Sequence, residues 1–317
     1  MPWQELFVES QALRGNPLGD PDVRPLFVWA PAHQDRPLPA VFLLHPMTGR
    51  VRSWFNVAPF ERTMPEEIDA LELDAIVVLV DGWSSFGGSQ WIDSEAIGRY
   101  GTYLCEDVVG FVDERWSVST RALAGRSSGG FGAMVWGMLR PDLFSGFATH
   151  AGDALFDVVY PVEFAAAAQA LRNLYSGSID EFWEDFHSGR PVFANRTDPL
   201  LQNVSAAAAA FSGGALPFRI DTGELLPEQW ARWQAWDPVR LASAHADALR
   251  DARAIWIDAG RSDEYFLDLA ATAFHEAVQG AGADAAAVHF ELHDGGHRGT
   301  NRRLRESLPF LAERLAR

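Results

Sequence analysis

The sequence predicts an α/β protein with a mostly parallel central sheet between layers of helices. Short apolar runs without polar alternation recur along the chain, longer amphipathic stretches separate them, and 48% of the 317 residues are hydrophobic. Strands of a parallel sheet are covered by helices on both faces, so they read as continuous apolar runs. The β–α alternation therefore indicates a doubly wound domain.

Seven runs dense in Val, Ile, Leu and Phe are the predicted strands. They cover residues 25–30, 40–45, 75–81, 121–125, 146–151, 254–260 and 287–294. Four amphipathic stretches are the predicted helices, at 94–116, 129–140, 263–282 and 301–316. Ser94 is the expected N-cap of the first helix, and Pro141 marks the end of the second.

One region interrupts this alternation. Residues 154–250 contain helix-like pieces, an alanine run and a Trp-rich segment, with few strand signals. We predict that residues 1–153 and 251–317 form the α/β core and that 154–250 form a helical cap inserted over the strand ends. The alternative is that these residues are ordinary connecting helices.

Charge and cysteine content restrict the partners and the compartment. The formal net charge of −17 argues against non-specific binding to nucleic acid or to anionic membranes. Cys105 is the single cysteine, so no disulfide can form within the chain. The first residues lack the pattern of a signal peptide, and no apolar run reaches the ~18 residues that span a bilayer. We therefore expect a cytoplasmic protein.

Ser127 lies in the stretch "GRSSGG", between a predicted strand and a predicted helix. The pattern Gly-x-Ser-x-Gly in this context is typical of the sharp turn that exposes the nucleophilic serine of an α/β-hydrolase. Gly125 and Gly129 lack a Cβ and permit a close approach of the backbone. The helix that follows directs its N-terminus at the site and favours developing negative charge.

A serine nucleophile needs a base and an orienting carboxylate, which follow it in the order Ser, Asp or Glu, His in this fold. Asp263 follows the strand at 254–260, and His297 follows the strand at 287–294. Both residues are therefore expected at the edge of the sheet that carries Ser127. Other residues compete for the roles of base and carboxylate, but they lie within strands, beside the chosen residues or at a helix start. They are Asp258, Glu264, Asp294, His289, His293 and Asp237.

Acyl transfer also requires donors for the oxyanion. The backbone N–H of Ser128, directly after the nucleophile, is the first expected donor. The second is expected in the loop "HPMTG" after the strand at 40–45, where Met47 N–H is the candidate because Pro46 has no N–H.

Together these segments resemble the Putative esterase family of α/β-hydrolases, which includes esterase D (S-formylglutathione hydrolase), enterochelin esterases and feruloyl esterases. The matching stretches are "VFLLHPMTG", "GRSSGGFGAMVWGMLRPDLFSGFATHAGD", "IDAGRSDEYF" and "HDGGH", with the tract from "VVLVDGW" to "VDERW". The resemblance implies a serine hydrolase with Ser127, Asp263 and His297 as its triad. It also implies oxyanion donors near Met47 and Ser128.

The substrate pocket is expected from residues that follow strands or lie in nearby loops. The loop after the strand at 75–81 offers flat apolar side chains for an aromatic or acyl group. The predicted pocket residues are His45, Trp54, Trp83, Phe86, Trp91, His150 and Asp153. The alternative for the aromatic residues is that they anchor the loop to the core, and for Asp153 that it caps the next helix.

The sequence thus predicts a serine carboxylic-ester hydrolase that acts through an acyl-enzyme on a small or aromatic ester. It predicts no metal and no organic cofactor, because metal-ligand spacing and nucleotide-binding motifs are missing. The expected partner is a small-molecule ester, and the sequence leaves open whether the chain forms a homo-oligomer. The alternatives are an acyltransferase with the same triad and a catalytically silent binding protein.

Overall fold

A computed structural model describes residues 3–31 and 34–317 of the chain. Within them, eight strands form one sheet in the order β1-β2-β4-β3-β7-β8-β9-β10. β1 and β2 pair antiparallel, as do β2 and β4, and every later neighbour pairs parallel. The strands are β1 (Gln4–Glu9), β2 (Val23–Trp29), β3 (Leu38–Leu44), β4 (Ile76–Val80), β7 (Val118–Arg126), β8 (Gly146–His150), β9 (Ala254–Gly260) and β10 (Val288–His293), with a separate hairpin of β5 (Asp93–Ser94) and β6 (Gly98–Arg99).

Helices cover both faces of this sheet. They are α1 (Met64–Ala70), α2 (Tyr100–Thr102), α3 (Val109–Asp113), α4 (Ser128–Leu139), α5 (Phe156–Val159), α6 (Pro161–Leu174), α7 (Ile179–Phe186), α8 (Asp198–Ser212), α9 (Pro227–Gln234), α10 (Pro238–Ala244), α11 (Ala246–Asp251), α12 (Leu267–Gly280) and α13 (Leu304–Leu315). A π-helical segment at Tyr103–Val108 joins α2 to α3, and 3₁₀ turns lie at Val51–Phe55 and Thr300–Arg303. None of the helices in the described ranges is long and apolar enough to cross a membrane.

Alternate residues of the central strands enter two separate apolar cores. Phe42 and Leu44 of β3 belong to the core shared with α4, α8 and α12, while Val41 and Leu43 belong to the core shared with α1 and α13. All seven residues of β3 are buried. This arrangement confirms the predicted α/β-hydrolase fold with its mostly parallel sheet. The strands are apolar on both faces because helices cover both faces.

The sequence analysis missed one strand and misplaced the start of one helix. The stretch "QELFVE" forms the antiparallel edge strand β1, which the sequence pattern did not indicate. The helix expected at 94–116 begins only at Tyr100, because residues 93–99 form the β5–β6 hairpin. Ser94 is therefore not an N-cap, and its hydroxyl instead donates to the carbonyl of Ala209 in α8, at 2.5 Å.

Residues 154–250 contain helices α5 to α11, between β8 and β9. Aromatic side chains join these helices to the sheet layer, since Phe131 of α4 packs on Phe156 and Phe211 with ring centroids 5.9 Å and 5.6 Å apart. Asp237 caps α10 by accepting from Val239 N–H, as expected. The assignment of 154–250 as a cap distinct from the core stays a prediction.

Candidate active site

Ser127 occupies the turn between β7 and α4 with φ 54° and ψ −124°. A non-glycine residue at positive φ is strained, and such strain persists only where the surroundings enforce it. The main chain of Ser127 is held on both sides, because its N–H donates to His150 O at 3.0 Å and its carbonyl accepts from Phe131 N–H at 2.8 Å. The turn therefore fixes the direction in which the partly exposed serine side chain points.

The flanking glycines allow this turn to form. A Cβ on Gly129 would overlap the carbonyl group of Leu44 at the end of β3. A Cβ on Gly125 would overlap the carbonyl group of Gly129. The start of α4 thus lies directly against the ends of β3 and β7, which explains both glycines of the motif by close packing.

His297 and Asp263 form a hydrogen-bonded pair. The distance from His297 Nδ1 to Asp263 Oδ2 is 2.9 Å, and the Asp263 side chain is fully shielded from solvent. Asp263 Oδ1 accepts from Tyr265 N–H at 2.9 Å, so the carboxylate is held in place from its other side. An imidazole that donates from Nδ1 presents Nε2 as the acceptor, which is the form required of a general base.

The main chain of His297 is fixed by two further residues. Glu264 accepts the His297 N–H at 2.6 Å, and this hydrogen bond lowers the pKa of Glu264. Arg126 Nη1 donates to the His297 carbonyl at 3.3 Å. Glu264 was expected only at the solvent-facing start of a helix. In the structure its side chain is exposed but also accepts the hydrogen bond from His297 N–H.

Ser127 and His297 line the same cavity, whose volume is about 530 Å³. Met47 also lines it, in the loop after β3. The N–H groups of Met47 and Ser128 donate to no other residue among those that the structure describes. Unpaired backbone N–H groups beside a nucleophile can donate hydrogen bonds to an oxyanion. Both positions therefore fit the predicted role.

The Met47 loop is held from below by neutral His45. Burial lowers the pKa of His45, whose Nδ1 donates to Pro46 O at 2.9 Å and whose Nε2 accepts from Gly82 N–H at 2.9 Å. Thr48 N–H donates to Gly87 O at 2.7 Å. The loop after β3 is therefore tied to the loop after β4.

Residues 23–301 match the family described as Putative esterase. The chain belongs to this family. Among solved structures, a ferulic acid esterase is 17% identical, with a TM-score of 0.60 over 99% of this chain and 98% of that chain. An S-formylglutathione hydrolase from Agrobacterium tumefaciens is 16% identical, with a TM-score of 0.59 over 99% of this chain and 95% of that chain. At these identities the likeness shows the α/β-hydrolase fold.

A curated relative is similar over a shorter part. An uncharacterized protein of Corynebacterium glutamicum is 26% identical over 203 residues, which are 61% of this chain. The match covers 44% of that protein's length. The family assignment rests on residues 23–301 and agrees with the resemblance that the motifs indicated.

Four predicted pocket residues of this esterase-family chain anchor loops and do not line the cavity. Trp91 is 1% exposed, and its indole N–H donates to His45 O at 3.1 Å. Phe86 stacks on Trp183 with ring centroids 4.4 Å apart. His45 lies beneath the Met47 loop, as described. Trp83 packs on the Arg50 guanidinium, with Arg50 Cζ 3.6 Å from the ring centroid. The alternative interpretation of these aromatic residues, as anchors, is the one that the contacts support.

Trp54 and His150 also lie away from the cavity. Trp54 is 5% exposed and belongs to the apolar core on the other face of the sheet, with α1 and α13. His150 is fully buried, with Nδ1 2.8 Å from Asp258 and Nε2 2.9 Å from Ser307 Oγ. Of the seven predicted pocket residues, Asp153 lines the cavity.

Ser307, His150 and Asp258 reproduce the hydrogen bonding of a catalytic triad inside the protein. All three are 0% exposed, so a substrate cannot reach them. Asp258 also accepts from Trp256 Nε1 at 2.7 Å and from Arg303 Nε at 3.0 Å. Burial opposes ionisation of Asp258, but the charge of His150 and these hydrogen bonds outweigh it and lower its pKa to about 2. The group is a structural ion network.

We expect Asp258→Asn to lower the free energy of unfolding by about 3 kcal/mol, because it removes the buried carboxylate that pairs with His150 and Arg303, although Arg303 keeps Glu291 and Glu306 as partners. Urea unfolding measures this loss. The matched variant Ser307→Ala removes one hydrogen bond and should cost about 1 kcal/mol. A folded Asp258→Asn protein of unchanged stability, with ester turnover as low as that of Ser127→Ala, would contradict the structural role.

Much of the cavity wall comes from residues 154–250. Asp153, Tyr160 and Glu163 line it near His297, and Asn203 of α8 lies beside them. Sequence reasoning missed the last three, because no motif marks polar residues on helices whose packing is set by distant aromatic contacts. The rim carries Arg196 and Arg298, and the aromatic members of the lining are Phe193, Tyr160 and Tyr265 rather than the predicted tryptophans.

No group of three or more His, Cys, Asp or Glu side chains within 3–31 and 34–317 is arranged to hold a metal ion.

Proposed function

We propose that this chain is a serine carboxylic-ester hydrolase in which Ser127, His297 and Asp263 form the triad. One observation carries the proposal. A serine on a strained strand-to-helix turn shares a cavity with a histidine that is hydrogen-bonded, at 2.9 Å, to a buried carboxylate. This is the arrangement that nucleophilic catalysis by serine requires.

In the proposed reaction, His297 Nε2 takes the proton of the Ser127 hydroxyl as Oγ attacks the ester carbonyl. Asp263 holds the imidazole in the Nδ1–H form and stabilises the imidazolium. The N–H groups of Met47 and Ser128 bind the oxyanion of the tetrahedral intermediate. His297 then gives its proton to the leaving alcohol, and the Ser127 acyl ester remains.

Water completes the cycle by the reverse sequence. His297 removes a proton from water, which attacks the acyl carbonyl, and returns the proton to Ser127 Oγ as the carboxylic acid leaves. The same acyl-enzyme could pass its acyl group to an alcohol, so product analysis with an added alcohol separates hydrolysis from transfer. No step requires a metal or an organic cofactor.

The substrate in this proposal is a small or aromatic ester. A cavity of about 530 Å³ is within the ~300–1,000 Å³ typical of small-molecule sites. Val159, Leu200 and Leu267 supply apolar contact area, and Tyr265 adds an aromatic edge to the His297 ring at a centroid distance of 5.0 Å. The net charge of −17 supports a small molecule rather than nucleic acid as the partner. A cytoplasmic location stays a prediction.

The test is hydrolysis of p-nitrophenyl esters from acetate to octanoate, with and without prior treatment by a fluorophosphonate. We expect turnover that is fastest for acyl chains that fit the cavity and that fluorophosphonate abolishes, since an activated serine oxygen attacks phosphorus, displaces fluoride and remains phosphonylated. Absence of turnover for every ester, together with no reaction with fluorophosphonate, would favour the catalytically silent binding protein.

A further inference from the structure

Three side chains that line the cavity form what we call the acceptor cluster: Gln90, Asp153 and Glu163. They come from the loop after β4, the loop after β8 and the first turn of α6. All three line the cavity that contains Ser127 and His297. The mechanism proposed above uses none of them.

The cluster is held in place by neighbouring donors. Tyr160 OH donates to Asp153 Oδ2 at 3.3 Å, and Gln90 Nε2 approaches the same oxygen at 3.5 Å. Asn203 Nδ2 donates to Glu163 Oε2 at 2.8 Å. These contacts use one oxygen of each carboxylate and fix the direction of the other.

When both carboxyl groups are ionised, the remaining hydrogen-bonding capacity of the cluster consists of acceptors. Gln90 is 1% exposed, and its buried Oε1 has no hydrogen-bond partner among the residues that the structure describes. Asp153 Oδ1 and Glu163 Oε1 also accept no hydrogen bond within the described ranges, and both side chains are half-buried. A buried acceptor without a donor, such as Gln90 Oε1, is costly, and a ligand that supplies a donor would remove this cost.

The charge of the two carboxyl groups also favours a ligand that donates hydrogen bonds. Burial raises the pKa of Asp153 to about 6 and that of Glu163 to about 7, and the neighbouring hydrogen bonds and, for Asp153, the charge of His297 offset this only in part. The cavity does contain arginines, but Arg126 donates to the His297 carbonyl, and Arg196 and Arg298 are exposed. Within residues 3–31 and 34–317, neither carboxylate forms an ion pair with them.

We propose that the acceptor cluster binds a hydroxyl or ammonium group of the substrate, so that the ester carries a hydrogen-bond donor distant from its scissile bond. This inference rests on the proposed function of the same cavity. A donor group would satisfy Gln90 Oε1 and the free carboxylate oxygens together, whereas an alkyl chain would leave them unpaired.

Three isosteric substrates test the proposal: the p-nitrophenyl esters of 6-hydroxyhexanoate, 6-aminohexanoate and heptanoate. We expect kcat/KM for at least one donor-bearing ester to exceed that of heptanoate by roughly 10-fold or more, as for sites built to hydrogen-bond a substrate group. Equal or lower kcat/KM for both donor-bearing esters, with Ser127-dependent turnover of heptanoate, would overturn the inference and leave the proposed function standing.

Isosteric variants distinguish the two donors. The double variant Asp153→Asn/Glu163→Gln removes both charges and keeps an acceptor oxygen at each position. It should abolish a preference for the ammonium ester and retain most of a preference for the hydroxyl ester. Gln90→Leu removes an acceptor and should reduce either preference. Glu276→Gln, on the exposed side of α12, is the control and should change neither. Preferences that persist in both cluster variants would contradict the assignment.

A binding measurement separates this inference from the proposed function. Calorimetric titration of the Ser127→Ala protein with hexane-1,6-diol, 6-aminohexan-1-ol and heptan-1-ol does not depend on turnover. Tighter binding of a donor-bearing alcohol than of heptan-1-ol supports the cluster even if no ester is hydrolysed, and Asp153→Asn/Glu163→Gln or Gln90→Leu should weaken it. Equal affinity for all three alcohols would count against the cluster as a binding site.

Discussion

Replacement of Ser127 by Ala is expected to lower kcat for p-nitrophenyl ester hydrolysis by about 10⁴-fold or more, as is typical when the nucleophile of a triad is removed. The reason is that Ser127 supplies the oxygen that forms the acyl-enzyme in the proposed mechanism. The Ser127 side chain is partly exposed and forms no hydrogen bond to any described residue. Its removal should therefore change the melting temperature little.

The control for this prediction is Ser243→Ala, which removes an exposed hydroxyl that donates to Arg240 O at 3.1 Å in α10. It should hydrolyse the esters at the wild-type rate. Equal rates in wild type, Ser243→Ala and Ser127→Ala would reject Ser127 as the nucleophile. A Ser127→Ala protein that has lost its cooperative melting transition would instead show that the turn is needed for folding.

Replacement of Asp263 by Asn is the second large expected effect, a fall in kcat of about 10⁴-fold. The amide keeps the shape of the side chain and an oxygen that can accept Tyr265 N–H. Its NH₂ group, however, would donate to His297 Nδ1 and select the wrong imidazole tautomer. The proton of Ser127 would then have no acceptor, and the imidazolium would lose its counter-charge.

The neighbouring carboxylate gives a matched control. Glu264 accepts the His297 main-chain N–H and is exposed, so Glu264→Gln should keep kcat within about 10-fold of wild type. Full kcat in Asp263→Asn together with a large loss in Glu264→Gln would transfer the orienting role to Glu264. Circular dichroism of both variants checks that the fold is unchanged.

The positions of the proposed triad residues could be predicted from sequence because strand ends carry them. In the parallel part of the sheet, Leu44 is level with Gly125, Arg126 with His150, and His150 with Asp258. Loops that follow these residues must therefore meet at one edge. The strand positions and the glycine pattern around Ser127 were therefore sufficient to predict that Ser127, Asp263 and His297 lie near one another.

The cavity wall could not be predicted in this way. A tryptophan in a loop after a strand can point toward the site or back into the core, and the loop sequence does not decide which. Trp91 packs under the Met47 loop because Gly82 and Gly132 leave room for its ring. Tyr160 and Glu163 reach the cavity only because α5 and α6 pack on α4 through Phe156, a contact between residues far apart in sequence.

His150 shows a related limit of strand-end reasoning. It is the last residue of β8, and its side chain points to the face of the sheet that α13 covers, where Ser307 receives it. Asp153, three residues later, lies on the cavity side. The alternation of a strand and the conformation of the following turn decide such placements, and neither is visible in residue types alone.

The most direct measurement is to identify by mass spectrometry the residue that becomes covalently modified when the protein is treated with a fluorophosphonate. After digestion, fragmentation of the modified peptide separates Ser127 from the adjacent Ser128. The proposed mechanism predicts one adduct, on Ser127 Oγ, which is absent from Ser127→Ala and much slower to form in Asp263→Asn. An adduct on Ser128 or on another residue, formed equally in Ser127→Ala, would contradict it.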